Sequence, residues 1–294
     1  MATLRSIQTF LCIGVQKAGT TTLADILATH PDICIPEVKE TKFFYFAEDY
    51  SKGIDHYNHT FYRGCSEHKA VGELDPDYIM HPEAAGRVRE TLGDGIKLIV
   101  VFRDPARRAY SQYLMSRKKG IEKLGFNEAL SAEDSRRNWP NYKTVAYVER
   151  GLYATQLKRW LELFPRTQFL FLDFEKDIVQ QLPETLRHIQ EFLGVSVLDL
   201  DHTIRSNEAS EAVNDSVRDM VRRPNFVKTV LKKLIPSARF RKKARRFMIE
   251  RNQQAASASR LEEEEAREIN RKYFAEEIAG IRELTGLPFE HWSI

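Results

Sequence analysis

The chain has 294 residues, 42% hydrophobic and 30% charged, with a net charge of +3 at pH 7. That is the composition of a soluble globular protein. The balance is too mild, with no reason in it to expect a nucleic-acid partner. No apolar run approaches the roughly 18 residues of a membrane helix, so no transmembrane segment is expected.

The first 15 residues, MATLRSIQTFLCIGV, hold a short apolar run that passes into a glycine loop without a small-residue cleavage site. They read as a first strand, not as a secretion signal, which predicts a cytoplasmic protein. The three cysteines, Cys12, Cys34 and Cys65, are odd in number and lack C-x-x-C spacing. They are expected to be small apolar fillers in a reducing compartment, with neither a disulfide framework nor a zinc site favoured.

In chain order, QTFLCIGV (8–15) predicts a strand buried on both faces. A helix follows over 20–30 and ends where Pro31 disfavours helical backbone at His30. IKLIVVF (96–102) is the clearest buried parallel strand, followed by a helix over 105–119. Leu157, Trp160, Leu161 and Phe164 recur at helical spacing within 151–164. QFLFLDF (168–174) predicts a third strand, and PETLRHIQEFLG (183–194) a helix with Pro at its start and Gly at its end. The alternation predicts one α/β domain over 1–294, with a P-loop-like central parallel sheet flanked by helices and a ligand beyond the carboxyl ends of its strands. Residues 218–251 are crowded with lysine and arginine, and 205–260 stands apart as a basic helical insertion or lid. A solvated face is the bland account of that charge, and attraction of an anionic ligand or surface the sharper one. An acidic run, Glu262 to Glu265, opens a last amphipathic helix reaching about Thr285, a helical C-terminal cover.

The loop after the first strand, GVQKAGTTTL, carries the chemistry. Glycine-flanked backbone N–H groups ahead of a helix N-terminus make an anion site. Gly14 and Gly19 bracket the turn, Thr20, Thr21 and Thr22 add hydroxyls, and Lys17 supplies a mobile charge. The triphosphate signature G-x-x-x-x-G-K-[ST] requires lysine where Thr20 stands, and the strand 96–102 is followed by Arg103 where a magnesium-binding aspartate is wanted. A plain strand-to-helix turn is the alternative.

IGVQKAGTTTL is similar to the 5′-phosphosulfate loop of sulfotransferases that use 3′-phosphoadenosine 5′-phosphosulfate (PAPS). The chain resembles the heparan sulfate N- and O-sulfotransferase branch and its bacterial relatives, with agreement in KETKFFYFAEDYSKGIDHYNHTF (39–61), VVFRDPARRAYSQY (100–113) and GLYATQLKRWLELFP (151–165). The resemblance covers most of the chain except roughly 205–260. It implies that Lys17, Ala18, Gly19, Thr20, Thr21 and Thr22 hold the 5′-phosphosulfate, with Lys17 on the leaving group. Arg103 and Ser111 then grip the 3′-phosphate, Arg205 or Asn207 contacts PAPS from a loop, and PAP is the product. Arg107 and Arg108 are expected to be structural or surface groups.

Glu40 matches the branch's catalytic glutamate and is the candidate general base. An ordinary surface ion pair with Lys39 or Lys42 is the alternative. The branch carries a second catalytic lysine where this chain has Leu74, in GELDPDY; Glu73, Asp75, Asp77 and His81 are the titratable groups nearby, and His81 or His56 is the alternative base, ranked below Glu40. Asp75 and Asp77 around Pro76 read as a turn before a metal site. Phe43, Phe44 and Trp160 are expected in the core or a pocket wall. The resulting expectation is metal-free sulfuryl transfer to a hydroxyl or amine of a carbohydrate or small natural product. A nucleotide kinase with a degenerate loop and a catalytically silent nucleotide-binding protein are the rivals.

Overall fold

The apolar run after Thr9 forms β1 (Phe10–Gly14), buried at every residue. A strand covered on both faces belongs inside a parallel sheet. The computed structural model describes residues 9–203, 261–292 and 294, and β1 lies at the middle of its five-stranded sheet. The other strands are β2 (Ile33–Cys34), β3 (Ala70–Leu74), β4 (Lys97–Phe102) and β5 (Phe169–Asp173). Their order is β2-β3-β1-β4-β5 and every pairing is parallel. Phe10 faces Gly72 on one side and Lys97 on the other, while Phe102 faces Asp173. The connection from β1 runs towards β2 and β3, and that from β4 runs towards β5. The crevice between the carboxyl ends of β1 and β4 is therefore the switch point, where a parallel sheet takes its ligand.

The described helices are α1 (Thr20–Leu27), α2 (Ala47–Tyr50), α3 (Gly53–Phe61), α4 (Ala84–Leu92), α5 (Pro105–Lys118), α6 (Phe126–Ser131), α7 (Tyr142–Val145), α8 (Tyr153–Leu161), α9 (Leu182–Leu193), α10 (Glu263–Ile269) and α11 (Ala275–Thr285). α1 stops three residues short of the predicted end, where the buried His30 bonds the carbonyl of Ser196 at 2.8 Å and accepts from the N–H of Asp32. α9 has Pro near its start and Gly194 in the left-handed conformation at its end, as predicted. The single predicted C-terminal helix is instead α10 and α11 around a π-helical turn, Asn270–Phe274. The cause is the buried Asn270, which donates to Asp104 at 3.0 Å and accepts from the N–H of Ala106 at the start of α5. Among the described residues, no helix is long and apolar enough to cross a membrane.

The described residues fall into two compact units. One comprises 9–109, 148–203, 263–292 and 294 and contains the sheet; the other comprises 110–147 with 261 and 262. The second is organised by a buried ion pair, with Arg136 Nη1 2.6 Å from Glu122 Oε2 and Tyr147 donating to the same oxygen.

Two features depart from the sequence expectations. Sheet strands β2 and β3 had no counterpart, because β2 is two residues long and β3 contains Gly72 and Glu73, which break an apolar pattern. Cys34 and Cys65 form a disulfide, which corrects the reading of all three cysteines as unpaired fillers. The two lie 31 residues apart in sequence and meet only because β2 pairs with β3, so spacing gave no sign of them. The inference of a reducing compartment loses the support it drew from unpaired cysteines. Cys12 is free and buried, and that burial pushes its thiol up to about 12.

Gly72 marks the tightest approach in the sheet: a Cβ there would stand 2.1 Å from the carbonyl oxygen of Phe10. Backbone cannot swing aside as a side chain can, so β1 and β3 would have to separate. Gly72→Ala is therefore expected to cost about 3 kcal/mol or more. A denaturant midpoint equal to wild type would contradict this.

Candidate active site

The loop at the switch point is shaped by backbone conformation. Lys17 and Gly19 both have left-handed backbone, with φ of 72° and 77°. Gly19 is the N-cap of α1. It has no room for a side chain, since a Cβ would lie 3.0 Å from Phe174 Cε2 and 3.2 Å from Ile178 Cγ2. Ala18 and Thr20 are buried, Thr21 and Thr22 half-buried. The first-turn amides of α1 have no carbonyl ahead of them in the helix, which is the backbone arrangement an anion cradle over 17–22 would use.

Arg103, just past β4, closes the crevice. Its Nη1 donates to the Lys17 carbonyl at 2.8 Å, and its guanidinium lies 4.6 Å from the centre of the Phe174 ring. Its Nε is 3.5 Å from Glu175 Oε1 and, although buried, has no hydrogen-bond partner. A guanidinium placed against this loop is a group suited to a phosphate-bearing ligand. Ser111 is buried on α5 and belongs to the second unit. Arg107 pairs with Glu263, and Arg108 is wholly buried on α5. Arg205 and Asn207 lie outside the described residues, as does the basic stretch 218–251.

Glu40 sits in the segment between β2 and α2 with its side chain 37% exposed. Lys39 Nζ is 2.8 Å from Oε1 and donates to Thr20 Oγ1 at 3.3 Å, which ties Glu40 to the phosphate loop. Lys42 Nζ is 3.1 Å from Oε2. The lysine pairing expected of a surface glutamate is present, but both lysines continue to further partners. Burial alone would raise the Glu40 pKa; Lys42 and Lys39 outweigh it and hold the carboxyl below the ordinary glutamate value.

Beneath this segment lie the carboxylates of β3 and the turn after it. Glu73, wholly buried, accepts from Thr41 N–H at 2.9 Å, Thr41 Oγ1 at 3.0 Å, Tyr57 OH at 2.7 Å and Tyr78 OH at 2.7 Å. Burial and the nearby Asp75 push it up to about 7 against those hydrogen bonds. Asp75 and Asp77 form the expected turn, with the N–H of Asp77 donating to Asp75 Oδ1 at 3.1 Å. Lys42 reaches both, at 2.6 Å from Asp75 Oδ1 and 2.8 Å from Asp77 Oδ2. Burial pushes Asp75 up to about 6. Asp77 is half-buried; partial burial would raise its pKa, but Arg150 and Lys42 outweigh it and hold the carboxyl down at about 2. Arg150 and Asp77 are 73 residues apart in sequence, and no motif joins them.

The remaining candidates are placed elsewhere. His56 is exposed on α3 beside Thr60, and His81 packs its ring 4.5 Å from Tyr45. Phe43, Phe44 and Trp160 are core residues, with Phe43 stacked on Tyr57 at 4.2 Å. Leu74 is buried at the end of β3. The sequence reading missed Phe174 and Glu175, which flank Arg103, and the cluster of Asp173, Glu175 and His291, whose ligating atoms lie within 4.8 Å of one another. Only the fold brings the C-terminal His291 to the end of β5.

A carboxyl whose folded pKa is depressed adds stability above its ordinary value, and that contribution is lost as pH falls through the folded one. For Asp77 the window runs from the model-peptide value of 3.8 down to about 2. Asp77→Asn should lower the unfolding free energy by about 2 kcal/mol at pH 7. Urea titrations should show the gap to wild type closing between pH 4 and pH 2. A gap independent of pH would contradict the assignment.

The family model described as the sulfotransferase domain matches residues 8–221, well over half of the chain. Among curated proteins, heparan sulfate glucosamine 3-O-sulfotransferase 3A1 of Mus musculus is 32% identical over 204 residues, covering 67% of this chain and 48% of the mouse protein. Membrane-associated sulfotransferase kil1 of Dictyostelium discoideum is 28% identical over 276 residues, covering 67% of this chain and 58% of its own. The chain thus spans about half the length of the curated relatives it matches. Among solved structures, the sulfotransferase from Alicyclobacillus acidocaldarius has the same fold, with a TM-score of 0.69 at 24% identity over 97% of this chain and 98% of that one. The chain belongs to the sulfotransferase family.

Proposed function

We propose that this protein transfers a sulfuryl group from PAPS to a hydroxyl or amine of a carbohydrate or small natural product, with Glu40 as general base. One observation carries the reading: Lys39 joins Glu40 to Thr20, so the candidate base is fastened to the phosphate loop at 2.8 Å and 3.3 Å. A base and a donor cradle linked in this way meet the main requirement of group transfer, which is relative positioning.

PAPS would supply the sulfuryl group and, as PAP, the leaving group. The amides and hydroxyls of 18–22 would hold its 5′ end. Lys17 would place positive charge where the bridging oxygen becomes negative. Arg103 would bring its guanidinium charge to the 3′-phosphate. Ser111 is proposed as a second donor there, and Arg205 as a contact from the C-terminal side. Glu40, ionised because two ammonium groups flank it, would accept the proton of the acceptor. No metal enters the proposal, since the loop lacks the glycine-adjacent lysine that precedes a magnesium-binding hydroxyl. A carbohydrate acceptor is favoured by the 3-O-sulfotransferase relatives.

Glu40→Gln keeps the size of the side chain and removes its basicity. Turnover of a sulfated acceptor from radiolabelled PAPS should fall at least about 100-fold, while PAP affinity by calorimetry stays within about threefold of wild type. Turnover near wild type in this variant would refute the role of Glu40. Absence of PAP binding to the wild-type chain would refute the PAPS reading altogether.

A further inference from the structure

Glu40 lies in a loop and is partly exposed, so by itself it would sample several rotamers. What restrains it is the order in which charges are stacked below it. Lys42 Nζ is surrounded by three carboxylates: Asp75 at 2.6 Å, Asp77 at 2.8 Å and Glu40 at 3.1 Å. An ammonium has three N–H donors, which matches one to each. Asp75 and Asp77 are themselves fixed, Asp75 by full burial and by the N–H of Asp77, and Asp77 by Arg150.

The backbone shows the same constraint. Lys42 has φ of 60°, the left-handed region that disfavours a non-glycine residue. Such a conformation persists only where neighbouring contacts require it. Here they are visible: Thr41 N–H bonds Glu73 at 2.9 Å, and Lys42 N–H bonds Asp75 at 3.2 Å. The two residues after Glu40 are therefore pinned to alternate carboxylates, one in β3 and one just beyond it. The left-handed turn then lets the Lys42 side chain reach Asp75, Asp77 and Glu40 together.

We propose that Lys42, seated on Asp75 and Asp77, is a positioning residue for the reaction, holding the Glu40 carboxylate in place from the side opposite Lys39 and supplying the second cation of the site. This rests on Glu40 being the base. Each Glu40 oxygen then has its own ammonium, Oε1 that of Lys39 and Oε2 that of Lys42. Lys39 relays to Thr20 at the start of α1 and Lys42 to the turn after β3, so the carboxylate is held between those two segments. The charged and titratable groups around it are Lys39 and Lys42, then Asp75 and Asp77, with Arg150 behind Asp77, Glu73 behind Asp75, Tyr45 beside Lys42 and His81 on the Tyr45 ring. Lys39, Lys42 and Arg150 balance Glu40, Asp75 and Asp77 in charge. Removing Lys42 leaves the set with an excess of negative charge, which favours protonation of Glu40.

The test uses Lys42→Met and Lys42→Gln, which remove the charge at similar length, and Lys42→Arg, which keeps it. Full-length protein carrying carbon-13 in its glutamate carboxyls is titrated by NMR, with the Glu40 signal assigned by its absence in Glu40→Gln. The Glu40 midpoint should rise in the Met and Gln variants and stay near wild type in the Arg variant. In the activity assay, kcat should fall about tenfold or more in the first two and the acid limb of the pH profile should move up, with PAP affinity unchanged within about twofold. A Glu40 midpoint and a kcat that match wild type in the uncharged variants overturn the proposal. Wild-type-like turnover in Glu40→Gln overturns the proposed base instead. The NMR titration decides the coupling of Lys42 to Glu40 in either case.

Discussion

A carboxylate with no access to water must be satisfied from inside the protein, and Glu73 imposes that requirement at the end of a central strand. Its oxygens take hydrogen bonds from Thr41, Tyr57 and Tyr78. Those donors fix the segment that follows β2, the helix α3 and the turn after β3 against one another. Glu40 precedes Thr41, and Asp75 follows Glu73 by two residues. The geometry of the candidate base is thus set by a buried group that does not itself reach the phosphate loop. Without Glu73, Thr41 would lose its anchor, and the left-handed turn at Lys42 would lose one of the contacts that hold it.

The other half of the site is built by sheet topology. β1 and β4 are neighbours whose connections leave in opposite directions, so the loop 15–19 and the residue after β4 meet across one crevice. Arg103 serves two functions there. It fastens the loop through the Lys17 carbonyl, and it leaves a buried N–H without a partner beside the cradle. Phe174 supports both, with its ring under the guanidinium and its edge against Gly19. A side chain at Gly19 would displace that ring, so glycine is required by contact as well as by backbone conformation.

Much of this was legible in the residues. The loop, the strand ending at Phe102 and the arginine after it were identified by pattern, because buried parallel strands are continuous apolar runs and phosphate loops need glycine at set positions. Glu40 was singled out by resemblance alone; its composition and spacing matched a surface ion pair equally well. What escaped notice has a common cause. β3 is a strand whose glycine and glutamate are dictated by Phe10 and by three hydroxyl-bearing residues, most of them on other segments of the chain. The Cys34–Cys65 disulfide, the Arg150–Asp77 pair and the approach of His291 to Asp173 likewise join distant segments. The family pattern puts a second cation at position 74, where this chain has leucine, and local spacing gives Lys42 no role beyond a surface ion pair with Glu40.

By itself, the sequence determined the order of the longer strands and helices and the family, and it marked the glycine loop as the candidate anion site. These depend on local periodicity and on short-range backbone geometry, which a linear string records directly. Tertiary structure alone decided which charges stand together: Lys39 between Glu40 and Thr20, Lys42 among three carboxylates, and Arg103 over Phe174. The physical reason is that electrostatic and hydrogen-bond partners are chosen by distance in space. In a parallel sheet, consecutive strands are separated by long crossovers, so neighbours in space are rarely neighbours in sequence.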